Sequence, residues 1–197
     1  MNVLEGIILG IVQGLAEFLP ISSSGHLVML QKLFGIEEGI LTFDIAVHIA
    51  TLAAVFFVYW KDIIGIIKKP FSKLPLLIVV GTIPTVIIGF AFKDFFESAF
   101  ETGATLGFGF ILTGLILWYA DGAKSKNKKI EKTTYWDAAV VGIAQGIAIL
   151  PAVSRMGLTV TGALFRGIDR EFAARLSFLM SIPAILGAAV LDGYKIL

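Results

Sequence analysis

Between Gln13 and His26 the chain reads QGLAEFLPISSSGH. Gln13 and Glu17 stand four residues apart, so on a helix they share a face. Pro20 disfavours helical geometry at Leu19 and ends that segment. Ser22, Ser23 and Ser24 then stand where a second helix begins, as N-cap candidates, with His26 in its first turn. The N–H groups and dipole at such a start attract anions, phosphate above all. A second stretch, Gln145 to Thr159, reads QGIAILPAVSRMGLT and repeats the pattern, with Ser154 and Arg155 after Pro151. An arginine forks onto phosphate oxygens and stays charged at any working pH.

These residue types suit phosphoryl chemistry. A serine hydroxyl or the His26 imidazole can attack phosphorus, the other assisting proton transfer. Arg155 and the helix ends can stabilise charge on the transferring group. Glu17, with Gln13, can hold a hard divalent cation together with phosphate oxygens. Hydrolysis of a membrane-embedded phosphate ester or anhydride is the reaction expected. The phosphate-loop signature of nucleotide hydrolases is absent, as is any HExxH zinc motif. Each residue also has an ordinary explanation: serines cap helices, Glu17 could meet interfacial water, His26 could be a packing residue, and Arg155 could snorkel to headgroups as Arg166, Arg170 and Arg175 are expected to. Asp44 is expected to mark the outer end of a span, with His48 as a supporting partner. It is the clustering of Glu, Ser, His and Arg around two broken helices that favours a site.

The surroundings are lipid. Of 197 residues 57% are apolar and only 16% charged, and mean hydropathy is +0.89, against about 45–50% and about 25% for soluble domains. Ionisable groups at membrane depth are costly and usually face a cavity or a partner. A net charge of +1 argues against a nucleic-acid partner, and with no cysteine there is neither a disulfide nor a thiolate metal site. The N-terminus lacks a basic region and carries Glu5, so a cleaved signal peptide is not expected.

A span needs roughly 20 apolar residues. Asp44–Trp60, Leu74–Phe92, Thr102–Ala120 and Leu176–Leu191, the last containing Pro183, come close. Val3–Leu19 and Ala138–Leu150 are too short and suit re-entrant pieces. The expected organisation is a single all-α polytopic membrane domain: a re-entrant pair over 1–38, three transmembrane helices over 43–120, a second re-entrant pair over 136–168 and a transmembrane helix over 171–192. Lys61, Lys68, Lys69 and Lys73 crowd one loop, and Lys124, Lys126, Lys128, Lys129 and Lys132 another. Asp94, Glu97 and Glu101 accompany Lys93 in the loop between. The positive-inside rule makes the lysine loops cytoplasmic and the acidic loop external. The first re-entrant stretch then enters from outside and the second from the cytoplasm. GIVQGLA from Gly10 parallels GIAQGIA from Gly142, each followed by a proline, a polar run and a glycine. Similar sequences entering from opposite faces point to inverted-topology repeats with a site near their interface. Such repeats also serve secondary transporters, so carriage of a lipid phosphate is the alternative reading.

Gln13-xxx-Glu17, PISSSGH over Pro20–His26 and P-x-x-S-R-x-x-x-T over Pro151–Thr159 resemble the undecaprenyl-diphosphate phosphatase, or bacitracin-resistance, family across essentially the whole chain. The resemblance implies hydrolysis of undecaprenyl diphosphate to the monophosphate at the outer face of the plasma membrane, recycling the lipid carrier of cell-wall synthesis, with Mg²⁺ or Ca²⁺ as cofactor. It implies inverted repeats, each with a re-entrant pair. By position, Glu17 is the essential acid and Gln13 its partner. Ser23 matches the serine nucleophile, with His26 as its base or as the alternative nucleophile. Ser24 helps place the phosphates, and Arg155, Ser154 and Thr159 bind the diphosphate. Ala152, Val153 and Met156 depart from the family pattern, Met156 removing a hydroxyl from the phosphate-binding turn. Family members run longer, with further spans, so the second repeat is expected to be incomplete: the chain is either a fragment or truncated form, or a shorter relative that completes its fold differently, as by forming a homodimer.

Overall fold

The computed structural model describes residues 1–122 and 127–196; Lys124 and Lys126 of the lysine-rich loop, and Leu197, lie outside them. The described residues are almost entirely helical. Helix α1 (Val3–Ala16) opens on an Asn2–Glu5 capping box, which satisfies two backbone N–H groups reciprocally. It turns back into α2 (Ser23–Leu33). Helices α3 (Ile40–Val58) and α5 (Lys73–Ala91) are long and apolar enough to cross a membrane, as is Arg170–Leu191 of α10 (Arg170–Ile196). A second hairpin, α8 (Tyr135–Ile147) and α9 (Arg155–Phe165), matches the first closely in helix lengths. The chain is therefore an all-α, multi-pass membrane fold, and Leu4, Ile7, Ile11 and Leu15 stand exposed along α1 as lipid contact requires.

Two connections expected as loops are helices. Helix α4 (Trp60–Lys68) sets isoleucines on one face and lysines on the other, and α6 (Lys93–Thr102) does the same with phenylalanines and acidic residues. Charge counting alone missed this amphipathic period. Where a span is expected over Thr102–Ala120, helix α7 (Leu106–Asp121) has 16 residues and meets α6 at 105°, so that the two together are apolar enough for one bent span or a re-entrant loop. Gly103, at φ 68, closes α6 in the left-handed conformation that glycine adopts without strain and makes the bend. Asp44 lies in the second turn of α3 and accepts a hydrogen bond from Gln31 Nε2 at 2.7 Å.

Helices α5, α8, α9 and α10 share a core in which Leu77, Val141, Leu176, Leu179 and Met180 are fully buried. The α5–α8 crossing is backbone on backbone: a Cβ on Gly142 would lie 1.8 Å from the Gly81 carbonyl oxygen. At one end of the α8–α9 hairpin, Asp137 is wholly buried, paired with Lys128 and accepting from Arg166 Nε at 2.8 Å and the Thr134 N–H at 2.7 Å. Burial alone would raise the Asp137 pKa, but the Lys128 bond and these further donors hold the carboxyl well below the usual carboxylate range. Arg166 and Arg175 thus do not simply reach for headgroups; they pair with Asp137 and Asp62.

Candidate active site

The site is built where the two hairpin turns touch. In the first, Ser22 takes a positive φ of 66°, a sparsely populated region for a residue with a Cβ, and caps α2. In the second, Ala152 also sits at φ 66°, and Ser154 caps α9 by accepting the Gly157 N–H at 3.0 Å. The turns pack so closely that a Cβ on Gly25 would lie 2.5 Å from Ala152 Cα. Thr113 of α7 clamps the second turn, donating to the Ala152 carbonyl and accepting from the Ser154 N–H, each at 3.0 Å.

This packing brings residues 138 positions apart onto one carboxylate. Glu17, 8% exposed, pairs through Oε1 with Arg155 Nη2. Its Oε2 accepts from Ser23 Oγ at 2.5 Å and from Gln13 Nε2 at 3.1 Å, with His48 Nε2 at 3.9 Å. Ser23 and Arg155 are the first residues of α2 and α9. Each hairpin therefore presents the first side chain of its second helix to the same acid, one to each oxygen. A buried carboxylate is tolerated only with such pairing and hydrogen bonding. Arg155 Nη1 and Gln13 Oε1 are buried without partners. Since Gln13 Nε2 faces a carboxylate that can only accept, the amide orientation is set by the network.

A cavity of about 210 Å³ opens beside this cluster, lined by Glu17, Ser22, Ser23, Ser24, Arg155 and Met156 on the hairpins, by Thr85 and Gln145 at the α5–α8 crossing, and by Phe100 of α6. His26 is not among its lining residues: its Nδ1–H donates to the Ser22 carbonyl at 2.7 Å and its ring meets Phe110 edge-on. His48 takes the cavity wall instead, its Nδ1 held by the Asp44 carbonyl at 2.7 Å, which leaves Nε2 toward Glu17. Ser154 and Thr159 are buried away from the cavity. Thr159 donates to the Arg155 carbonyl at 2.7 Å and lies 2.6 Å from Ser177 Oγ, so it holds the arginine's helix to α10. Thr85, Thr113 and the weight carried by His48 were missed in sequence. Only Gln145 had a signal there, as the counterpart of Gln13 in the repeated GIxQGxA.

No group of three or more His, Cys, Asp or Glu able to hold a metal occurs among the described residues. Glu17 lines the cavity, and Gln13 Oε1, buried and unpartnered though outside that lining, is a second oxygen that could serve as a ligand. That set suits a hard cation which completes its shell with phosphate oxygens and water, as Mg²⁺ does.

A family model described as Bacitracin resistance protein BacA matches residues 6–197. The chain is 62% identical over 192 residues to the undecaprenyl-diphosphatase of Carboxydothermus hydrogenoformans, covering 98% of this chain and 74% of that one. It is 54% identical to undecaprenyl-diphosphatase 4 of Bacillus thuringiensis (strain Al Hakam), with the same coverage. To the undecaprenyl-diphosphatase of Halothermothrix orenii it is 45% identical over 194 residues, 98% of this chain and 75% of that one. With a family match and relatives this similar over nearly its whole length, the chain belongs to the bacitracin resistance protein BacA family.

Proposed function

We propose that the protein removes the terminal phosphate of undecaprenyl diphosphate, or a closely similar polyprenyl diphosphate, leaving the lipid monophosphate. The observation that carries the mechanism is the convergence of Ser23 and Arg155 on Glu17 at one cavity. Ser23 Oγ bonds to the terminal phosphorus, its proton passes to Glu17 Oε2, and the bridging P–O bond breaks to release the monophosphate. Arg155 keeps Nη2 on the carboxylate and offers Nη1, buried without a partner, to the phosphoryl oxygens as charge develops there. Ser24 and the N–H groups opening α2 and α9 hold the anion. His48, on the cavity wall, supports Glu17, while His26 braces the turn through Ser22. Glu17 and Gln13 are the residues that would hold Mg²⁺ or Ca²⁺, which would supply positive charge to offset that of the diphosphate.

The site faces outward in this reading. The cavity wall includes Phe100 of the acidic helix α6 and Ala188, toward the end of α10 remote from Arg170, and the lysine-rich segments mark the cytoplasmic side. The transport alternative has no comparable support, since a carrier needs no hydroxyl held on a carboxylate. The test is phosphate release from undecaprenyl diphosphate by the protein in detergent with Mg²⁺ or Ca²⁺. Wild type releases phosphate, chelation with EDTA stops it, and Glu17→Ala and Arg155→Ala reduce it by orders of magnitude. Undiminished release by either variant would defeat the proposal.

A further inference from the structure

The second hairpin contributes one more polar side chain to the cavity, and its orientation is fixed. Thr85 Oγ–H donates to the Gly142 carbonyl at 2.9 Å. Having spent its one proton, that hydroxyl can only accept from Gln145 Nε2, at 3.2 Å. The second amide hydrogen faces the Met180 carbonyl, at 3.5 Å. Gln145 is 2% exposed, lines the cavity, and is left with Oε1 buried and unpartnered. Across the same cavity Arg155 Nη1 is a buried donor without a partner. A lone acceptor and a lone donor that do not bond each other call for an occupant that both donates and accepts. The arginine suits phosphate oxygens. The amide oxygen needs a proton donor, and a diphosphate ionised near neutral pH has few to give. Water supplies one.

We infer that Gln145 positions the water that hydrolyses the phosphoenzyme, with Thr85 locking the amide so that Oε1 faces that water. The inference rests on the phosphatase reading with Ser23 as nucleophile. In this step the water oxygen bonds to phosphorus and the P–Oγ bond breaks. Ser23 Oγ regains its proton from Glu17, and phosphate leaves carrying both water protons. Gln145 transfers nothing; it holds one water hydrogen in line while the bond forms.

The experiment is phosphoryl partitioning. Undecaprenyl diphosphate is turned over in detergent with a fixed fraction of methanol, and methyl phosphate and inorganic phosphate are both measured. Gln145→Leu removes the acceptor at similar volume. Its kcat for phosphate release should fall roughly 10- to 100-fold, the cost of misplacing a reacting atom, with KM within about twofold. Its ratio of methyl phosphate to phosphate should rise, because methanol gains more from apolar surroundings than water does. Thr85→Val, which frees the amide to rotate, should shift the ratio the same way by a smaller factor. An unchanged ratio, or two products falling in equal proportion, overturns the role even if kcat drops, since a purely structural defect slows both acceptors alike. Wild type releasing no phosphate overturns the phosphatase reading and this inference with it. Wild type active with both variants unchanged overturns this inference alone.

Discussion

Arg155→Lys keeps the positive charge and discards the fork. In the structure one arm of the guanidinium, Nη2, serves Glu17, while Nη1 is buried without a partner. A lysine ammonium is a compact, strongly hydrated point charge that cannot hold the acid with one donor and offer a second, fixed in the same plane, to a phosphate oxygen. The loss is one hydrogen bond between charged groups, worth about 1.5–3 kcal/mol. At about 1.4 kcal/mol per tenfold, that is roughly a 10- to 150-fold fall in kcat/KM. The assay is phosphate release from undecaprenyl diphosphate across a substrate series, with thermal unfolding in the same detergent as the folding control. Because charge balance with Glu17 survives, the unfolding midpoint should barely move, whereas Arg155→Met would leave a buried acid unpaired at about 3–5 kcal/mol. A lysine variant within twofold of wild type would refute the idea that the second arm works on substrate.

Other outcomes follow from contacts elsewhere. Gly25→Val drives side-chain atoms into the Ala152 backbone, where even a Cβ would be 2.5 Å from Ala152 Cα; it should cost about 1–3 kcal/mol of stability and take activity with it, whereas Gly10→Ala, with open space around it, should leave both intact. Asp137 has its folded pKa lowered, so its stabilisation is present above its unfolded pKa of about 4 and is lost as pH falls toward the folded value. Acid unfolding in detergent should therefore begin below about pH 4, and Asp137→Asn should lower stability at pH 7 while flattening that acid limb.

The parts of the fold legible in sequence were those where lipid makes a residue expensive. Glu17 and Arg155 in an apolar chain demand each other, and prolines at 20 and 151 demand turns, so two hairpins meeting at a buried pair could be inferred without coordinates. What escaped was set by geometry rather than cost. Helices α4 and α6 look like charged loops when residues are counted, because their apolar faces emerge only on a 100° wheel. The bend between α6 and α7 starts at Gly103, whose φ of 68° ends α6. His26 read as the partner of Ser23 through adjacency, yet its Nδ1–H closes a local bond to the Ser22 carbonyl, and His48, on another helix, reaches the acid's neighbourhood instead. Thr85 and Thr113 each act across more than 35 residues of intervening chain, a relationship no local pattern carries.

The claim that the hairpins make one site rests on Glu17 and Arg155 acting as a unit, and a double-mutant cycle in kcat/KM measures that directly. Glu17→Gln, Arg155→Lys and the double variant are compared with wild type for phosphate release. One shared unit predicts a combined loss well short of the product of the single losses. Losses that multiply in full would contradict it, placing the two residues in independent roles.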